Sequence, residues 1–294
     1  MVIFWNLELG IWNLINMDIR QSEEYAFFTK SLGWEVKKIN GINIFIKKIP
    51  VLGSIVKIQR TEKVPFEEIE KVAKKFRAFQ IILEPAFKID PEDLKKYKYK
   101  PLSSPFIPTK TIIKDVKKEE KEILSSFSKN KKRDVLYAQK NGLLVKEGTL
   151  KDFLTLKREY LLKKFILPLG INKETKLLFE AFRDKAKAVI TYKKDSPEPL
   201  AGAIILFCEK TAYYWQAAAT DKGKKLLAPT LVVWEAIKLA KKEGCLFFDF
   251  EGIYDERFPQ NRSWQGFTRF KRGFRGEEVI FPAPYVKTKL RITS

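Results

Sequence analysis

The order of predicted elements repeats once along this chain, about half a chain apart. In each half, short strand-like runs lead to a helix that opens at a proline, Pro65 or Pro229, and an apolar strand follows the helix. Proline suits the first helical turn because its missing N–H has no intrahelical partner there. The sequence therefore predicts two copies of one α/β unit with mainly antiparallel sheets. We expect domains at 1–148 and 149–281, with the tail 282–294 returning to the first.

Composition allows two such domains and indicates an anionic partner. The chain has 294 residues, of which 45% are hydrophobic and 13% aromatic, enough for two cores of about 150 residues each. Its 57 Lys and Arg against 36 Asp and Glu leave a net charge of +21. Such a balance favours RNA, a phosphorylated substrate or an anionic membrane surface. Lysines that only solvate the surface are the alternative.

The absence of histidine excludes several kinds of active site. There are no histidines in the chain, so Ser-His-Asp triads, Cys-His pairs and histidine-based zinc sites are excluded, and we expect no metal. Cys208 and Cys245 lie in separate apolar runs, which favours buried reduced thiols of a cytosolic protein. The first residues lack a basic leader, and no apolar run is long enough to span a membrane. We therefore expect a cytoplasmic protein.

One lysine interrupts an aromatic stripe near the C-terminus. Helical spacing over residues 264–274 places four side chains on one face. They are Trp264, Phe267, Lys271 and Phe274. An amine held among aromatic rings would be partly desolvated and would act on a nearby charge more strongly than an exposed lysine. In the alternative interpretation, the lysine stem covers the stripe while its amine reaches water.

Two further groups of polar residues are candidates for the same site. Asp249 and Glu251 end a predicted strand on one face, and we expect them to meet the lysine. Asp249 could orient an attacking amine or simply pair with a nearby cation. Tyr214 and Gln216 share one face of a predicted hairpin and could line the site, although aromatic residues in strands commonly serve packing.

A basic run opens a predicted helix that ends near Gly142. Four of the six residues 128–133 are cationic, a pattern that can bind phosphates or can be a solvated helix start. The cations are Lys129, Lys131, Lys132 and Arg133.

Several segments, in order, resemble the FemABX peptidyltransferases, a family that is similar to a pair of acetyltransferase-like (GNAT) domains. The most specific is Gly-Phe-Thr-Arg-Phe-Lys-Arg-Gly-Phe at 266–274. The others are Gln21-Ser22, Leu32-Gly33-Trp34, the lysine-rich run 128–133 with Asn141-Gly142, Ala-Pro-Thr-Leu-Val-Val-Trp-Glu-Ala-Ile at 228–237, and Phe-Asp-Phe-Glu-Gly-Ile at 248–253. No sustained heptad is present, so the chain resembles members without a coiled-coil arm.

The resemblance implies an activity and its partners. It implies transfer of an amino acid from an aminoacyl-tRNA to the stem-peptide amino group of a peptidoglycan precursor, which builds an interpeptide bridge. The acceptor would be UDP-MurNAc-pentapeptide or lipid II, with peripheral contact to the inner membrane surface as a further expectation. Aminoacyl-tRNA would be the co-substrate with no other cofactor, and we expect a monomer.

The resemblance also implies roles for particular residues. Lys271, with its neighbour Phe270, would be catalytic near the tRNA end. The family often has an arginine where this chain has Lys163 and Lys164, which keep the charge but lose the bidentate fork. The predicted substrate-binding residues are Lys37, Lys163, Lys164, Tyr214, Gln216 and Asp249. The predicted tRNA-phosphate residues are Lys129, Lys131, Lys132 and Arg133.

Two other functions compete with this one. An acyl-CoA-dependent N-acyltransferase of the GNAT superfamily would keep the duplicated fold. However, the segment 221–229 has one glycine where a phosphate-binding turn needs close backbone amides. A non-enzymatic RNA- or membrane-surface-binding module would explain the charge. It would not require a lysine inside an aromatic stripe.

Overall fold

The structure of the protein is a computed structural model that describes residues 17–163, 171–194 and 196–289. These residues form helices and two β-sheets, which confirms the predicted α/β fold class. No long coiled-coil arm occurs in the described ranges.

The described residues divide into two compact units. The N-terminal unit comprises 17–110, 254–263 and 280–289. The C-terminal unit comprises the remaining described residues, 111–253 and 264–279 with their gaps.

Strands and helices alternate along the described chain. The strands are β1 (Glu35–Ile39), β2 (Ile42–Ile49), β3 (Gly53–Gln59), β4 (Ala78–Glu84), β5 (Lys100–Pro101), β6 (Lys110–Asp115), β7 (Leu143–Gly148), β8 (Ala186–Lys193), β9 (Pro199–Cys208), β10 (Thr211–Ala219), β11 (Phe247–Asp249), β12 (Glu277–Ile280) and β13 (Tyr285–Thr288). The α-helices are α1 (Glu23–Ser31), α2 (Phe66–Lys75), α3 (Pro91–Lys96), α4 (Glu120–Ser126), α5 (Lys129–Lys140), α6 (Leu150–Lys163), α7 (Ile171–Phe182), α8 (Asp221–Lys225), α9 (Ala228–Lys242) and α10 (Gln265–Arg272). Short 3-10 helices occur at Ile19–Gln21, Arg183–Lys185 and Pro259–Trp264.

The sheet of the N-terminal unit has the strand order β1-β2-β3-β4-β13-β5. Its strands pair antiparallel except β3 and β4, which run parallel and are joined by α2. The helix follows Pro65 and buries Phe66, Ile69 and Val72 against this sheet. These three side chains recur at helical spacing, so they form the apolar face that the helix buries.

The sheet of the C-terminal unit has the order β12-β6-β11-β10-β9-β8-β7. Strands β10 and β11 form a parallel pair joined by α9, and Pro229 lies in the first turn of that helix. The helix buries Val232, Val233, Ile237 and Ala240 in the core of this unit. Each unit thus contains a parallel strand pair joined by a helix that opens at proline.

The chain passes from one unit to the other at Lys110 and Thr111, and not near the predicted boundary at Gly148. Strand β6 pairs with β11, and β7 pairs with β8, so both strands belong to the second sheet. Burial of Ile112 in the C-terminal core explains the placement of β6. The segment after Phe281 lies with the first sheet, because β13 pairs with β4 and β5.

The segment between Pro85 and Thr111 contains a short helix. Asp90 caps α3, accepting a hydrogen bond from the Glu92 amide at 2.9 Å, and Pro91 occupies the first turn. Leu94 is buried in the N-terminal core. Six residues are too few to show a helical period, so the capping residues were the usable signal.

Gly223, the one glycine of the segment 221–229, has a packing role. Its amide donates to the Thr220 hydroxyl at 2.9 Å, which caps α8. A Cβ atom at this position would lie 2.8 Å from the Leu200 carbonyl carbon and closer still to its oxygen. The glycine therefore lets α8 approach the backbone of β9.

We expect Gly223→Ala to destabilise the protein by about 1–3 kcal/mol, because the added methyl group meets rigid backbone. Chemical denaturation measures the change in the free energy of unfolding. The matched control is Gly266→Ala, at a helical position with no atom within 4 Å of the added Cβ, which should be neutral or slightly stabilising. Equal stability of the two variants would contradict the close-packing role.

Candidate active site

The aromatic stripe of the sequence spans α10 and the turn after it. Phe274 is fully buried and packs against Phe250 and Phe270 at ring-centroid distances of 5.6 and 5.2 Å. Phe267, one helical turn before Lys271, is 39% exposed. The stripe thus runs from the core to the surface, with Lys271 between its two ends.

Lys271 points its amine into the protein. The residue is 9% exposed, and its Nζ donates to the Gly252 carbonyl oxygen at 2.8 Å. The same nitrogen lies 4.9 Å from the centroid of the Phe267 ring and 6.0 Å from that of Tyr214. The alternative interpretation, in which the amine reaches water, does not describe this geometry.

Burial and two carboxylates act in opposite directions on Lys271. Desolvation lowers its pKa to about 8, while the charges of Glu251 and Asp249 oppose this decrease. The amine is therefore mainly charged at pH 7 and titrates slightly above it. A lysine whose pKa lies near the working pH can stabilise a developing negative charge or exchange a proton.

The turn after β11 shapes the surroundings of this amine. Asp249 is buried, and its Oδ1 accepts from the Glu251 amide at 2.7 Å and from the Thr111 hydroxyl. Glu251 has a φ of 56°, in the left-handed region that non-glycine residues rarely adopt. This turn carries the Gly252 carbonyl that accepts from Lys271, so backbone strain lies next to the amine. Strained backbone of this kind clusters at functional sites.

The two candidate residues of β10 have different environments. A register shift between Tyr214 and Gln216 interrupts the pairing of β10 with β9. Tyr214 is buried against Phe248 and Phe250, and this burial raises the pKa of its hydroxyl. Gln216 is half-buried and belongs to a polar cluster. Tyr214 therefore serves packing beside Lys271, and Gln216 is the polar group that β10 presents.

The polar cluster around Gln216 includes two residues that the sequence analysis missed. Lys157 of α6 donates to Gln216 Oε1 at 3.0 Å and to the Thr175 hydroxyl at 2.7 Å. The Thr175 hydroxyl lies 3.2 Å from the same Gln216 oxygen. Burial lowers the pKa of Lys157, and Glu174 opposes that decrease. Two donors therefore fix the Gln216 amide through its oxygen, which leaves its N–H groups as the part that can meet a ligand.

A signal for Lys157 was present in the sequence. It lies four residues after Phe153 and four before Leu161, and both of those side chains are buried. A lysine at that spacing falls on the apolar face of the helix. This is the same pattern that drew attention to Lys271.

The basic run on α5 divides into two groups. Lys129, Lys132 and Arg133 are exposed. Lys131 instead turns inward: its Nζ donates to the Thr230 hydroxyl at 3.1 Å and lies 4.5 Å from the centroid of the Phe270 ring. The Lys131 amine therefore lies against Phe270, the predicted catalytic neighbour of Lys271. The other three cations of the run remain at the surface.

The remaining predicted substrate-binding lysines lie elsewhere. Lys163 is bound to Glu159 and Asp221 at 2.8 and 3.0 Å, and these hydrogen bonds raise its pKa. Lys37 lies on β1 of the N-terminal unit and pairs with Glu35 at 3.0 Å. Lys164 lies outside the described residues. Within the described ranges, no group of His, Cys, Asp and Glu could hold a metal ion, and no helix is long and apolar enough to cross a membrane.

A comparison with protein families identifies the segment that contains this site. Residues 172–281 match the FemAB family. This match covers 110 of the 294 residues. The matched FemAB segment includes Lys271, Asp249, Gln216 and Thr175, whereas Lys157 and the basic helix α5 precede it.

Solved structures show how far the FemAB-like fold extends. A crystal structure of FemX is 17% identical, with a TM-score of 0.77 over 93% of each chain. The C-terminal domain of a candidate lysylphosphatidylglycerol synthetase from Agrobacterium fabrum is 12% identical, with a TM-score of 0.59 over 95% of this chain and 89% of that one. L-PGS from Bacillus licheniformis is 17% identical, with a TM-score of 0.56 over 89% of this chain and 85% of that one. At these identities the likeness shows a shared fold, and no curated protein sequence matches the chain significantly.

The burial of Lys271 predicts how stability depends on pH. Its pKa falls from the usual 10.5 to about 8, as does that of the buried Lys114. Between these values each of the two lysines binds more protons in the unfolded chain than in the folded one, so each contributes an increase in the free energy of unfolding from about pH 8 to 10.5. Lys271→Met should remove its share of this rise, as measured by urea unfolding at several pH values.

The matched control for this measurement is Lys132→Met, which makes the same side-chain change at an exposed position. It retains both buried lysines and should show the full rise with pH. A rise of the same size in Lys271→Met and the parent protein would show that Lys271 titrates alike in the folded and unfolded states.

Proposed function

We propose that this protein transfers an amino acid from an aminoacyl-tRNA to the stem-peptide amino group of a peptidoglycan precursor. The FemAB match and the FemX-like fold support a transferase for peptidoglycan interpeptide bridges in general. The observation that carries the finer assignment is the buried amine of Lys271, which lies inside the FemAB segment and has a pKa of about 8.

An aminoacyl ester is already activated, so the enzyme has few tasks. It must position the acceptor amine, receive its proton and stabilise the oxyanion that forms as the amine attacks the ester carbonyl. The Lys271 ammonium supplies a cation in surroundings from which water is largely excluded, where a charge acts over a longer range than in water. Glu251 and Asp249 help keep this amine charged at neutral pH.

The surroundings of Lys271 also suit the end of a tRNA. The Phe267 ring is partly exposed and lies 4.9 Å from the amine. An exposed ring beside a cation can stack a base, and such stacking contributes about 1–3 kcal/mol per base. In our proposal the terminal adenine stacks on Phe267, which brings the adjacent ester within reach of Lys271.

The cations of α5 provide a second binding surface for RNA. Lys129, Lys132 and Arg133 are exposed and can meet phosphates, which gives affinity without sequence recognition. Lys131 links this helix to the site through the Phe270 ring and Thr230. We propose that α5 holds the acceptor arm and that Lys131 has a positioning role.

The Gln216 cluster is the best-supported group for holding the acceptor peptide. The Gln216 oxygen is occupied by Lys157 and Thr175, so its N–H groups can donate to a peptide carbonyl or carboxylate. Lys163 is less suited to a phosphate because Glu159 and Asp221 already occupy its amine. An acyl-CoA-dependent reaction finds less support, because the amide of Gly223 is occupied by Thr220 and the glycine packs on β9.

Lys271→Met should slow transfer about a hundredfold, which corresponds to about 3 kcal/mol in the transition state. Methionine keeps the length and the apolar stem but removes the charge, so packing should survive. The measurement is transfer of a radiolabelled amino acid from charged tRNA to the precursor, with thermal unfolding as the check on folding.

Two comparisons make the Lys271 test specific. Lys271→Arg keeps the charge but misplaces it, so it should restore activity only in part. Lys132→Met tests the loss of one lysine at an exposed position and should leave the rate at saturating tRNA close to the parental value. Transfer by Lys271→Met at the parental rate, with normal saturation, would remove the catalytic assignment.

The surface cations of α5 should contribute to tRNA affinity through counterion release. Replacing Lys132 and Arg133 by Gln should weaken binding of charged tRNA. It should also reduce the slope of log Kd against log salt concentration by about one for each phosphate that the variant no longer neutralises. Binding can be measured by filter retention across a salt series. Lys151→Gln, at an exposed position on α6, is the control, and an equal decrease of slope there would contradict a local role for α5.

A further inference from the structure

The turn between β2 and β3 exposes apolar side chains that the fold does not use. Val51 is 95% exposed and Leu52 58% exposed, at the tip of the hairpin that joins Ile49 to Gly53. Loop tips of soluble proteins commonly carry small polar residues or glycine. Two neighbouring aliphatic side chains at such a tip contribute nothing to the core of the unit.

The backbone at this tip makes Val51 still more unusual. Its φ is 65°, in the left-handed region, where a β-branched side chain is a genuine outlier. The turn is tight, with the Leu52 amide donating to the Pro50 carbonyl at 2.7 Å. Glycine or asparagine would fit this conformation with less strain. Neither packing nor backbone geometry therefore explains a valine here.

Unpaired cations lie beside the tip. The Ser54 amide donates to the Arg77 carbonyl at 3.3 Å, which places the end of α2 next to the hairpin. Lys74, Lys75 and Arg77 are exposed there and form no ion pair with any residue that the structure describes. Three positive charges thus remain available for an anionic partner.

An open groove continues this basic surface. It has a volume of about 520 Å³. It is lined by Glu70, Lys71, Ala73, Lys74, Arg77, Ala78 and Lys289. Its carboxylate, Glu70, is held by Lys287 and Lys289 at 2.7 and 3.1 Å, so the remaining cations of the groove determine its charge. The groove can accommodate a phosphate group, and it shares Lys74 and Arg77 with the cations at the end of α2.

We propose that the hairpin tip and this basic groove form a membrane-docking surface for an anionic phospholipid bilayer. Val51 and Leu52 enter the interfacial region of the bilayer, where burial of apolar surface is favourable. Lys74, Lys75 and Arg77 lie at the level of the lipid phosphates, where each cation adds to the attraction. The inference concerns the N-terminal unit and does not depend on the transferase proposal.

A bilayer fits these observations better than RNA does. Nucleic acid would use the cations but would leave the aliphatic tip in water, because phosphates offer nothing to a valine or leucine side chain. Reversible membrane binding needs apolar insertion and electrostatic attraction together, because either one alone attaches a protein only marginally. The surface therefore corresponds to peripheral and salt-sensitive docking.

The first test uses the full chain and vesicles of phosphatidylglycerol mixed with phosphatidylcholine. We expect sedimentation with these vesicles but not with phosphatidylcholine alone. The double variant Val51→Gly with Leu52→Ser should bind about tenfold more weakly or worse, because most of the inserted apolar surface is absent from it. Thermal unfolding should show no decrease in stability, since glycine suits the positive φ.

Matched variants distinguish vesicle binding by this surface from nonspecific adsorption of the protein to vesicles. Leu144→Ser removes an exposed aliphatic side chain from β7 of the C-terminal unit and should leave vesicle binding unchanged. Replacing Lys74, Lys75 and Arg77 by Gln should abolish the preference for phosphatidylglycerol. Equal binding by the tip variant and the parent, or an equal decrease in Leu144→Ser, would overturn the proposal.

The second test reports insertion directly. Val51→Trp should show blue-shifted emission on vesicle addition and quenching by brominated acyl chains, in excess of the change from the native tryptophans. Leu144→Trp should show no blue shift and no quenching beyond those of the native tryptophans. An unquenched tryptophan at position 51 would overturn the proposal, as would abolished tRNA binding in the tip variant with vesicle binding unchanged.

Discussion

The hydrogen bond from Lys271 to the Gly252 carbonyl connects the candidate site to the fold. The amine is held where water is scarce, and a charged group there is costly unless partners compensate. A backbone carbonyl, two nearby carboxylates and aromatic rings provide that compensation. The desolvation cost exceeds this compensation, which lowers the pKa of the lysine from its usual 10.5 to about 8.

This balance depends on elements that are distant in the chain. Thr111 of β6 binds the Asp249 carboxylate, and Asp249 in turn receives the Glu251 amide in the strained turn. The pairing of β6 with β11 brings these groups together. A mutation in β6 that shifts its register would therefore alter the Lys271 site without touching α10.

Most of the fold could be predicted from local patterns, because the apolar residues of α2 and α9 repeat at helical spacing and become the buried faces. The domain boundary could not. The partner of β6 lies more than a hundred residues away, and an apolar strand does not indicate which sheet it will join. Residues 111–148 were therefore assigned to the wrong half.

The burial of a candidate residue was predictable where a polar side chain broke an apolar pattern, as at Lys271. Lys157 breaks the pattern of α6 in the same way, but nothing in the local sequence shows that Thr175 and Gln216 receive its amine. Among the cations of α5, only the structure separates Lys131, which packs on Phe270, from its exposed neighbours. The charge pattern of the sequence identifies the basic segment, and packing in the folded protein determines which of its cations face inward.

The position of β13 has a consequence for biosynthesis. This strand lies between β4 and β5 in the sheet of the N-terminal unit, yet it is translated after the whole C-terminal unit. Until β13 has left the ribosome, β4 lacks one of its two neighbours and presents open backbone hydrogen-bonding groups on that side. The N-terminal unit, which is made first, is therefore the last to be completed. Truncation shortly before Tyr285 would leave one edge of β4 without a partner strand.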